Sequence, residues 1–286
     1  MSMISGCVVK EVLKDAANLL KGAGIISPRV DAEVLLSFVL ACDRLALYRE
    51  PLRKIAAEEK NRYEELLCRR AAGVPVAYLT GEKEFMGLKF TVTPAVLVPR
   101  PETELLVETA IELLKRVQAP VVADVGTGSG AVAVSLAVFL PAVRVFAVDL
   151  SPAAVCVAQE NARRHGVADR VTFFQGDLLE PLLEEIRFFD LIAANLPYIP
   201  TAEMAQLPRE VQNEPAIALD GGPDGLAPYR RLLPQARRLL KAGGCLLFEI
   251  APGQGKAVLE MLKPWHAYVK QDLGGRERLV VARTGG

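Results

Sequence analysis

Residues 121–130 of the chain read VVADVGTGSG. A short apolar run leads into Gly126, Gly128 and Gly130, and a helical pattern begins directly after them. Glycine lets the backbone turn sharply and approach a ligand closely. The stretch therefore predicts a buried strand, a ligand-binding loop and a helix in that order. A tight turn that binds no ligand is the alternative interpretation.

Strand and helix patterns alternate after this loop. The helical stretch AVAVSLAVFL is followed by RVFAVDL, PAAVCVAQENARRHG, VTFFQ and DLIAAN, and later by PYRRLLPQARRLLKAG, CLLFEIA, HAYVKQD and RLVVAR. Apolar strands that alternate with amphipathic helices are typical of a parallel sheet covered on both faces. We therefore predict an α/β fold built on such a sheet.

The residues that precede the sheet follow a different pattern. Between residue 8 and about residue 72, apolar residues recur at helical spacing, and Pro28 suits the first turn of a helix. EKEFM and LKFTV then flank Gly87 and predict a hairpin. We expect a small helical domain over residues 1–74, a β-hairpin linker over 75–99 and the sheet domain over 100–286.

The composition limits the classes of function. Of 286 residues, 51% are hydrophobic, which is enough for a sizeable core, and the 34 basic residues equal the 34 acidic ones. This balance argues against nucleic-acid binding by bulk electrostatics, and no apolar run is long enough to span a membrane. Two histidines give poor support to a metal site or a serine–histidine triad, so we expect no metal. An odd, scattered set of cysteines predicts reduced and mostly buried thiols in a cytoplasmic protein: Cys7, Cys42, Cys68, Cys156 and Cys245.

Polar residues follow the predicted strands where each strand ends. Asp149 lies 23 residues after Gly126, Asp177 ends the third strand, and Asn195 ends the fourth in AANLPYIP (193–200). Ligands of open α/β sheets bind outside the carboxyl ends of the strands, so we expect these residues to border one crevice. Two alternatives remain: Asp149 could cap the helix that opens at Ser151, and Asp177 could be only a polar strand terminus.

The GxGxG loop, with Asp124 before it and an acid-ended second strand after it, resembles the sheet of class I (Rossmann-like) methyltransferases. That resemblance implies S-adenosylmethionine as cofactor. Asp149 would then grip the ribose hydroxyls and Asp177 would accept from the adenine amino group. The cofactor-binding residues implied by the resemblance are Gly126, Thr127, Gly128, Ser129, Gly130, Asp149, Asp177, Leu178 and Asn195.

The Asn-x-Pro-Tyr stretch at 195–198 resembles the motif of S-adenosylmethionine enzymes that methylate planar nitrogens. Such a nitrogen is a poor nucleophile because its lone pair is delocalised, so the enzyme must supply alignment and hydrogen-bond acceptors. The Asn195 side-chain oxygen and the Leu196 carbonyl could accept the two N–H groups. Pro197 would fix the turn, and the Tyr198 ring could stack on the flat substrate. No histidine base is needed.

Over nearly its full length, the chain resembles the release-factor glutamine methyltransferase family (HemK/PrmC). The stretches that carry the resemblance are LVPRPETE (97–104), DVGTGSG (124–130), NLPYIP (195–200), EPAIALDGGPDGLAPYR (214–230), FEIAPGQG (248–255) and DLGGRERLV (272–280). It implies that the substrate is the glutamine amide in the Gly-Gly-Gln loop of class I peptide-chain release factors. The helical domain would help to dock that protein. The stretch Arg100–Glu104 would line the entrance near the methionine end of the cofactor, with Arg100 and Glu102 contacting the substrate. Leu196 stands where the family usually has proline.

The main alternative is an adenine-N6 methyltransferase that acts on ribosomal RNA or another nucleic acid. NLPY also resembles the motif of ribosomal RNA adenine dimethyltransferases, but their extra domain follows the catalytic one. Here the helical part comes first, and it carries 12 basic and 10 acidic residues up to Thr80, so a protein substrate is favoured. We expect a monomer that binds neither nucleic acid nor membrane. A non-catalytic S-adenosylmethionine sensor and an NAD-dependent oxidoreductase fit less well.

Overall fold

A computed structural model describes residues 6–184 and 188–285 of the chain. Contacts between Cα atoms divide it into two compact units. The first unit runs to Gly81 and also contains Pro208–Asn213, and the second contains Glu82–Leu207 and the residues from Glu214 onward. The helical domain expected over residues 1–74 falls within this first unit, which continues to Gly81 and also takes in a distant segment.

The first unit is a small helical bundle. Its helices are α1 (Val9–Gly22), α2 (Pro28–Val39), α3 (Arg44–Arg49), α4 (Ala57–Ala71) and α5 (Val76–Thr80). Helix α1 buries Val9, Val12, Ala16 and Leu20, which lie three or four positions apart and therefore share one face. That face packs in a common core with Leu67 of α4 and its neighbours. Helix α5 lies inside the region that we had predicted to be a hairpin linker.

The second unit contains the hairpin and the sheet. Strands β1 (Glu82–Phe85) and β2 (Leu88–Thr91) pair in an antiparallel hairpin. The remaining elements are α6 (Glu104–Leu114), β3 (Val121–Val125), α7 (Ala131–Phe139), β4 (Arg144–Asp149), α8 (Pro152–Arg164), β5 (Val171–Gln175), β6 (Phe189–Ala194), α10 (Ala227–Leu239), β7 (Leu240–Glu249), α11 (Gly255–Met261), β8 (His266–Gln271) and β9 (Glu277–Arg283). The seven strands from β3 onward form one sheet in the order β5-β4-β3-β6-β7-β9-β8. This architecture confirms the predicted α/β fold.

The direction of the strands fixes where a ligand can bind. Strands β5, β4, β3, β6 and β7 are mutually parallel, and β9 pairs with β7 and β8 in antiparallel fashion. Successive residues of a strand point to opposite faces, so Val122 joins the core beneath α6 and α7 while Ala123 joins the core beneath α10. Both faces are buried, and the carboxyl edge of the parallel strands is left for the polar residues.

The segment between β6 and α10 contributes to the helical unit. Its short helix α9 (Arg209–Gln212) carries Glu210, which accepts from Arg70 at 2.6 Å. Arg70 is buried and also donates to Asp31 at 2.7 Å and to the Val74 carbonyl at 3.2 Å. Two carboxylates and a carbonyl thus satisfy a buried guanidinium, as a buried charge requires.

The prediction of mostly buried cysteines is wrong. Cys7, Cys68 and Cys156 are exposed, Cys42 is half-buried, and Cys245 is buried in the sheet. Cys68 and Cys156 lie on helices whose opposite faces supply the apolar contacts. All five cysteines are in the thiol form.

Across residues 6–184 and 188–285, the structure contains no helix that combines the length and the apolar character needed to cross a membrane.

Candidate active site

The glycine loop connects β3 to α7. Gly126, Gly128 and Gly130 have φ angles of 73°, 55° and 78°, which favour glycine because other residues are strained there. The first two residues of the loop are tied to the neighbouring strand, since the Gly126 and Thr127 amides donate to the Val148 carbonyl at 2.9 and 3.0 Å. A side chain at Gly130 would also meet Ala158 of α8 at 3.0 Å. The loop therefore depends on glycine both for its conformation and for its close packing.

Asp124 supports the loop from beneath. Its side chain is 1% exposed and accepts from the Thr127 hydroxyl at 2.6 Å and from the Ala133 amide at 3.1 Å. Burial raises the pKa of Asp124 to about 6, although both hydrogen bonds oppose the rise. The negative charge of Asp149 adds to it. The carboxylate thus connects the loop to the first turn of α7.

Asp149 lies at the end of β4 with both carboxylate oxygens engaged. The Gly128 amide donates to one oxygen at 2.8 Å, and the Ser151 amide donates to the other at 2.9 Å. Burial raises the pKa of Asp149 against these hydrogen bonds. The side chain that caps α8 is Ser151, which accepts from the Ala154 amide at 3.3 Å. Asp149 therefore orders the turn, and its remaining lone pairs stay available to a ligand.

Asn195 follows β6 and belongs to a chain of hydrogen bonds. Its Nδ2 donates to the Thr103 hydroxyl at 3.0 Å, and that hydroxyl donates to Glu249 at 2.7 Å. The Tyr198 hydroxyl donates to the other Glu249 oxygen at 3.2 Å. Sequence reasoning placed Thr103 only within the Arg100–Glu104 stretch at the entrance and gave no role to Glu249, although both residues lie inside stretches that carry the family resemblance. The available signal was an acidic residue at the end of the apolar strand CLLFEI.

Leu196 differs from its neighbours because its side chain is buried. It belongs to the core on one face of the sheet, and its Cδ2 lies 3.1 Å from where a Gly126 side chain would begin. Its carbonyl oxygen lies 3.2 Å from the Tyr229 hydroxyl, which also contacts the Glu249 carbonyl. A carbonyl has two lone pairs, so this contact leaves one for a substrate donor.

Two ion pairs border the site. Arg100 pairs with Glu214, a buried residue whose second oxygen accepts from the Val98 amide at 2.9 Å. Asp177 pairs with Arg231 of α10. Sequence reasoning missed both Glu214 and Arg231, because each partner lies far away in the chain.

A cavity of about 290 Å³ lies at the carboxyl edge of the sheet. Most of the predicted site residues line it: Arg100, Gly126, Thr127, Gly128, Ser129, Asp149, Asp177, Leu178, Asn195, Leu196 and Pro197. The other three, Glu102, Gly130 and Tyr198, lie outside the lining. Glu102 is 3.9 Å from Arg278, and the Tyr198 hydroxyl turns toward Glu249.

Comparison with known proteins identifies relatives over almost the whole chain. Residues 11–81 match the PrmC N-terminal domain, and residues 122–213 match a methyltransferase domain. A release factor glutamine methyltransferase of Moorella thermoacetica is 48% identical over 96% of this chain and 98% of its own length. One from Koribacter versatilis is 43% identical over the same shares. The structure of a 16S rRNA methyltransferase of T. thermophilus has a TM-score of 0.51 at 21% identity, covers 71% of this chain and 49% of its own, and supports the fold alone.

The glycine loop generates a prediction that separates conformational strain from crowding. Gly128→Ala should lower the free energy of unfolding by about 1 kcal/mol, the cost of a left-handed alanine. Gly130→Ala should lower it by about 2–4 kcal/mol, because Ala158 crowds the new methyl group as well. Urea denaturation of both variants measures the difference. Equal losses would contradict the close packing of the loop on α8.

Proposed function

The chain belongs to the release factor glutamine methyltransferase family, and we propose that it methylates the side-chain amide nitrogen of the glutamine in the Gly-Gly-Gln motif of class I peptide-chain release factors. The observation that carries the proposal is the 48% identity to a relative of that name over 96% of the chain. The methyl donor is S-adenosylmethionine.

The cleft fits this cofactor. The loop is open on the cavity side, since a side chain at Gly128 would meet nothing within 4 Å, and the Asp149 carboxylate lies beside it. We assign the glycine loop and Asp149 to the methionine and ribose parts, and Asp177 with Leu178 to the adenine. The second Asp177 oxygen remains available beside the Arg231 pair. When bound, the cofactor supplies an electrophilic methyl group on a positively charged sulfur.

We assign substrate alignment to the Asn195–Tyr198 stretch. Because Asn195 donates its Nδ2 to Thr103, its Oδ1 remains free to accept one amide N–H, and the Leu196 carbonyl accepts the other. Pro197 fixes the turn, and the Tyr198 ring, which lies outside the cavity lining in this structure, is assigned to contact the flat amide. The proton that the amide nitrogen would lose on methylation would pass to water. The two oxygen acceptors hold the substrate nitrogen in line with the methyl group and favour tetrahedral geometry at that nitrogen.

The other parts of the chain are assigned to the protein substrate. We assign docking of the release factor to the helical domain, expected over residues 1–74 and continued in the structure to Gly81. Residues 75–99, which contain α5 and the β1–β2 hairpin, link it to the methyltransferase domain of residues 100–286, where Arg100 and Glu102 border the entrance. We infer a monomer that works in the cytoplasm. The odd number and scattered positions of the five cysteines favour that reducing compartment. The even balance of charge favours a protein substrate over nucleic acid.

One observation favours the second candidate, adenine-N6 methylation of ribosomal RNA. Leu196 gives the motif the form NLPY, which resembles that of RNA adenine dimethyltransferases. The deciding experiment offers labelled S-adenosylmethionine with two purified substrates in parallel, a class I release factor and small-subunit ribosomal RNA. We expect label on the release factor that disappears when its Gly-Gly-Gln glutamine is changed to alanine. Label on RNA alone would overturn the protein-substrate proposal.

Removal of the proposed acceptor tests the role of Asn195. Asn195→Ala should lower the rate of methyl transfer by at least about 10²-fold, the scale of losing one preorganised hydrogen-bonding group. Affinity for the cofactor, measured by calorimetry, should stay nearly unchanged. A comparable loss of both quantities would mean that Asn195 supports the structure instead.

Removal of the proposed ribose ligand should act on binding. Asp149→Ala should weaken S-adenosylmethionine binding by about 1–3 kcal/mol, the cost of losing charge-assisted hydrogen bonds. The exposed Asp169→Ala variant is the matched control and should bind normally. Calorimetry measures both. Unchanged affinity in Asp149→Ala would remove this carboxylate from the cofactor site.

A further inference from the structure

The burial of Glu249 carries a cost in folding free energy. It ends β7 with 2% of its surface exposed, and burial of an ionised carboxylate is unfavourable unless hydrogen bonds compensate for it. Its two oxygens accept from two hydroxyls, those of Thr103 at 2.7 Å and Tyr198 at 3.2 Å. Apolar residues occupy most of the same strand, so the core alone does not account for a carboxylate here.

In its ionised form, Glu249 sets the direction of the neighbouring hydrogen bonds. A carboxylate only accepts, and the Thr103 hydroxyl has one hydrogen, which it gives to Glu249. The Thr103 oxygen can then only accept, so the Asn195 atom that meets it at 3.0 Å must be the N–H-bearing Nδ2. The amide of Asn195 is thereby prevented from turning over, and Oδ1 stays available to the cavity that Asn195 and Thr103 both line.

We propose that Glu249 is a positioning residue for methyl transfer, which acts through Thr103 to hold the Asn195 amide with its oxygen toward the substrate. Through the Tyr198 hydroxyl it also holds the last residue of the same motif. This inference rests on the proposed function for the identity of the substrate. It applies equally to any planar nitrogen that must donate N–H groups to Asn195.

A glutamine at position 249 would keep the shape and remove the constraint. Its amide can donate to the Thr103 oxygen, which frees the Thr103 hydrogen to donate to Asn195 Oδ1. The Asn195 amide can then turn over and present its N–H groups to the cavity. Those donors would face the N–H groups of the substrate, so the substrate would bind without productive alignment.

Protonation of Glu249 would have the same effect. The pKa of Glu249 is raised above its ordinary value, mainly by burial and also by the charge of Glu102. The hydrogen bonds from Thr103 and Tyr198 and the charge of Arg278 oppose the rise. The titratable and charged groups that face it are Tyr198, Tyr229, Arg278 and Glu102. The aligned state needs the ionised form, so kcat should fall as the pH falls through the pKa of this carboxyl. A Glu249→Gln variant lacks that dependence.

The test compares Glu249→Gln with Glu277→Gln, a matched change on the adjacent strand at a carboxylate that accepts from the Gly253 and Gly255 amides. We expect Glu249→Gln to lower kcat on the release factor by about 10²-fold, the scale of a lost alignment. KM for the release factor and affinity for S-adenosylhomocysteine should stay within about threefold. Glu277→Gln should retain kcat. Wild-type kcat in a folded Glu249→Gln variant would overturn the proposal.

If Glu249→Gln does not fold, a second pair of variants tests the hydrogen-bond path from Glu249 through Thr103 to Asn195. Thr103→Ser keeps the hydroxyl and should retain most of kcat, whereas Thr103→Val should lose it. Because Glu249 and Thr103 act through one path, their double variant should lose no more than either single one. Equal activity of the Ser and Val variants, or fully additive losses, would overturn the proposal.

One readout needs no methyl transfer and separates the two proposals. In the wild-type protein, the Asn195 side-chain N–H groups should exchange slowly with solvent, and Glu249→Gln should speed that exchange, as NMR can measure. If wild-type protein methylates only RNA, the substrate assignment fails while this exchange difference still decides the role of Glu249. Unchanged exchange would overturn the positioning role alone.

Discussion

The cleft depends on one pairing within the sheet, the parallel register of β3 with β6 that sets Val125 beside Ala194. Parallel strands end at the same edge, so this pairing places the glycine loop next to Asn195. The pairing of β3 with β4 does the same for Asp149. A shift of one residue would reverse the faces of a strand and separate these groups. The buried apolar residues on both faces make that shift unfavourable, so packing of the core also fixes the geometry of the site.

Three buried carboxylates fix the loops and side chains at this edge of the sheet. Asp124 holds the glycine loop, Glu214 holds the backbone at Val98 together with Arg100, and Glu249 holds Thr103 and Tyr198. Buried carboxylates contribute little net stability, because desolvation offsets their hydrogen bonds. They instead determine the direction of the hydrogen bonds around them, because an ionised carboxylate can only accept and its neighbours must donate to it.

The sequence predicted the features that depend on local pattern. The strands around VVADV and RVFAVDL, the glycine loop and the polar strand ends all follow from residues close together in the chain. The contact of Thr103 with Glu249 escaped prediction because the two residues lie 146 positions apart, and only the folded sheet brings their side chains together. The exposure of Cys68 escaped it too, because composition does not tell which face of a helix a thiol occupies.

Because residues 208–213 belong to the helical unit, the two units cannot be expressed separately by a single cut in the chain. The chain passes between the two units at three points, after Gly81, after Leu207 and after Asn213. A fragment that stops at Gly81 would lack Glu210, and Arg70 would keep only part of its buried anionic environment. A fragment that starts at Glu82 would carry a six-residue insert with no native surface to fold upon. To express the units separately, residues 208–213 should therefore be joined to the helical fragment. In the other fragment, a short turn should connect Leu207 to Glu214.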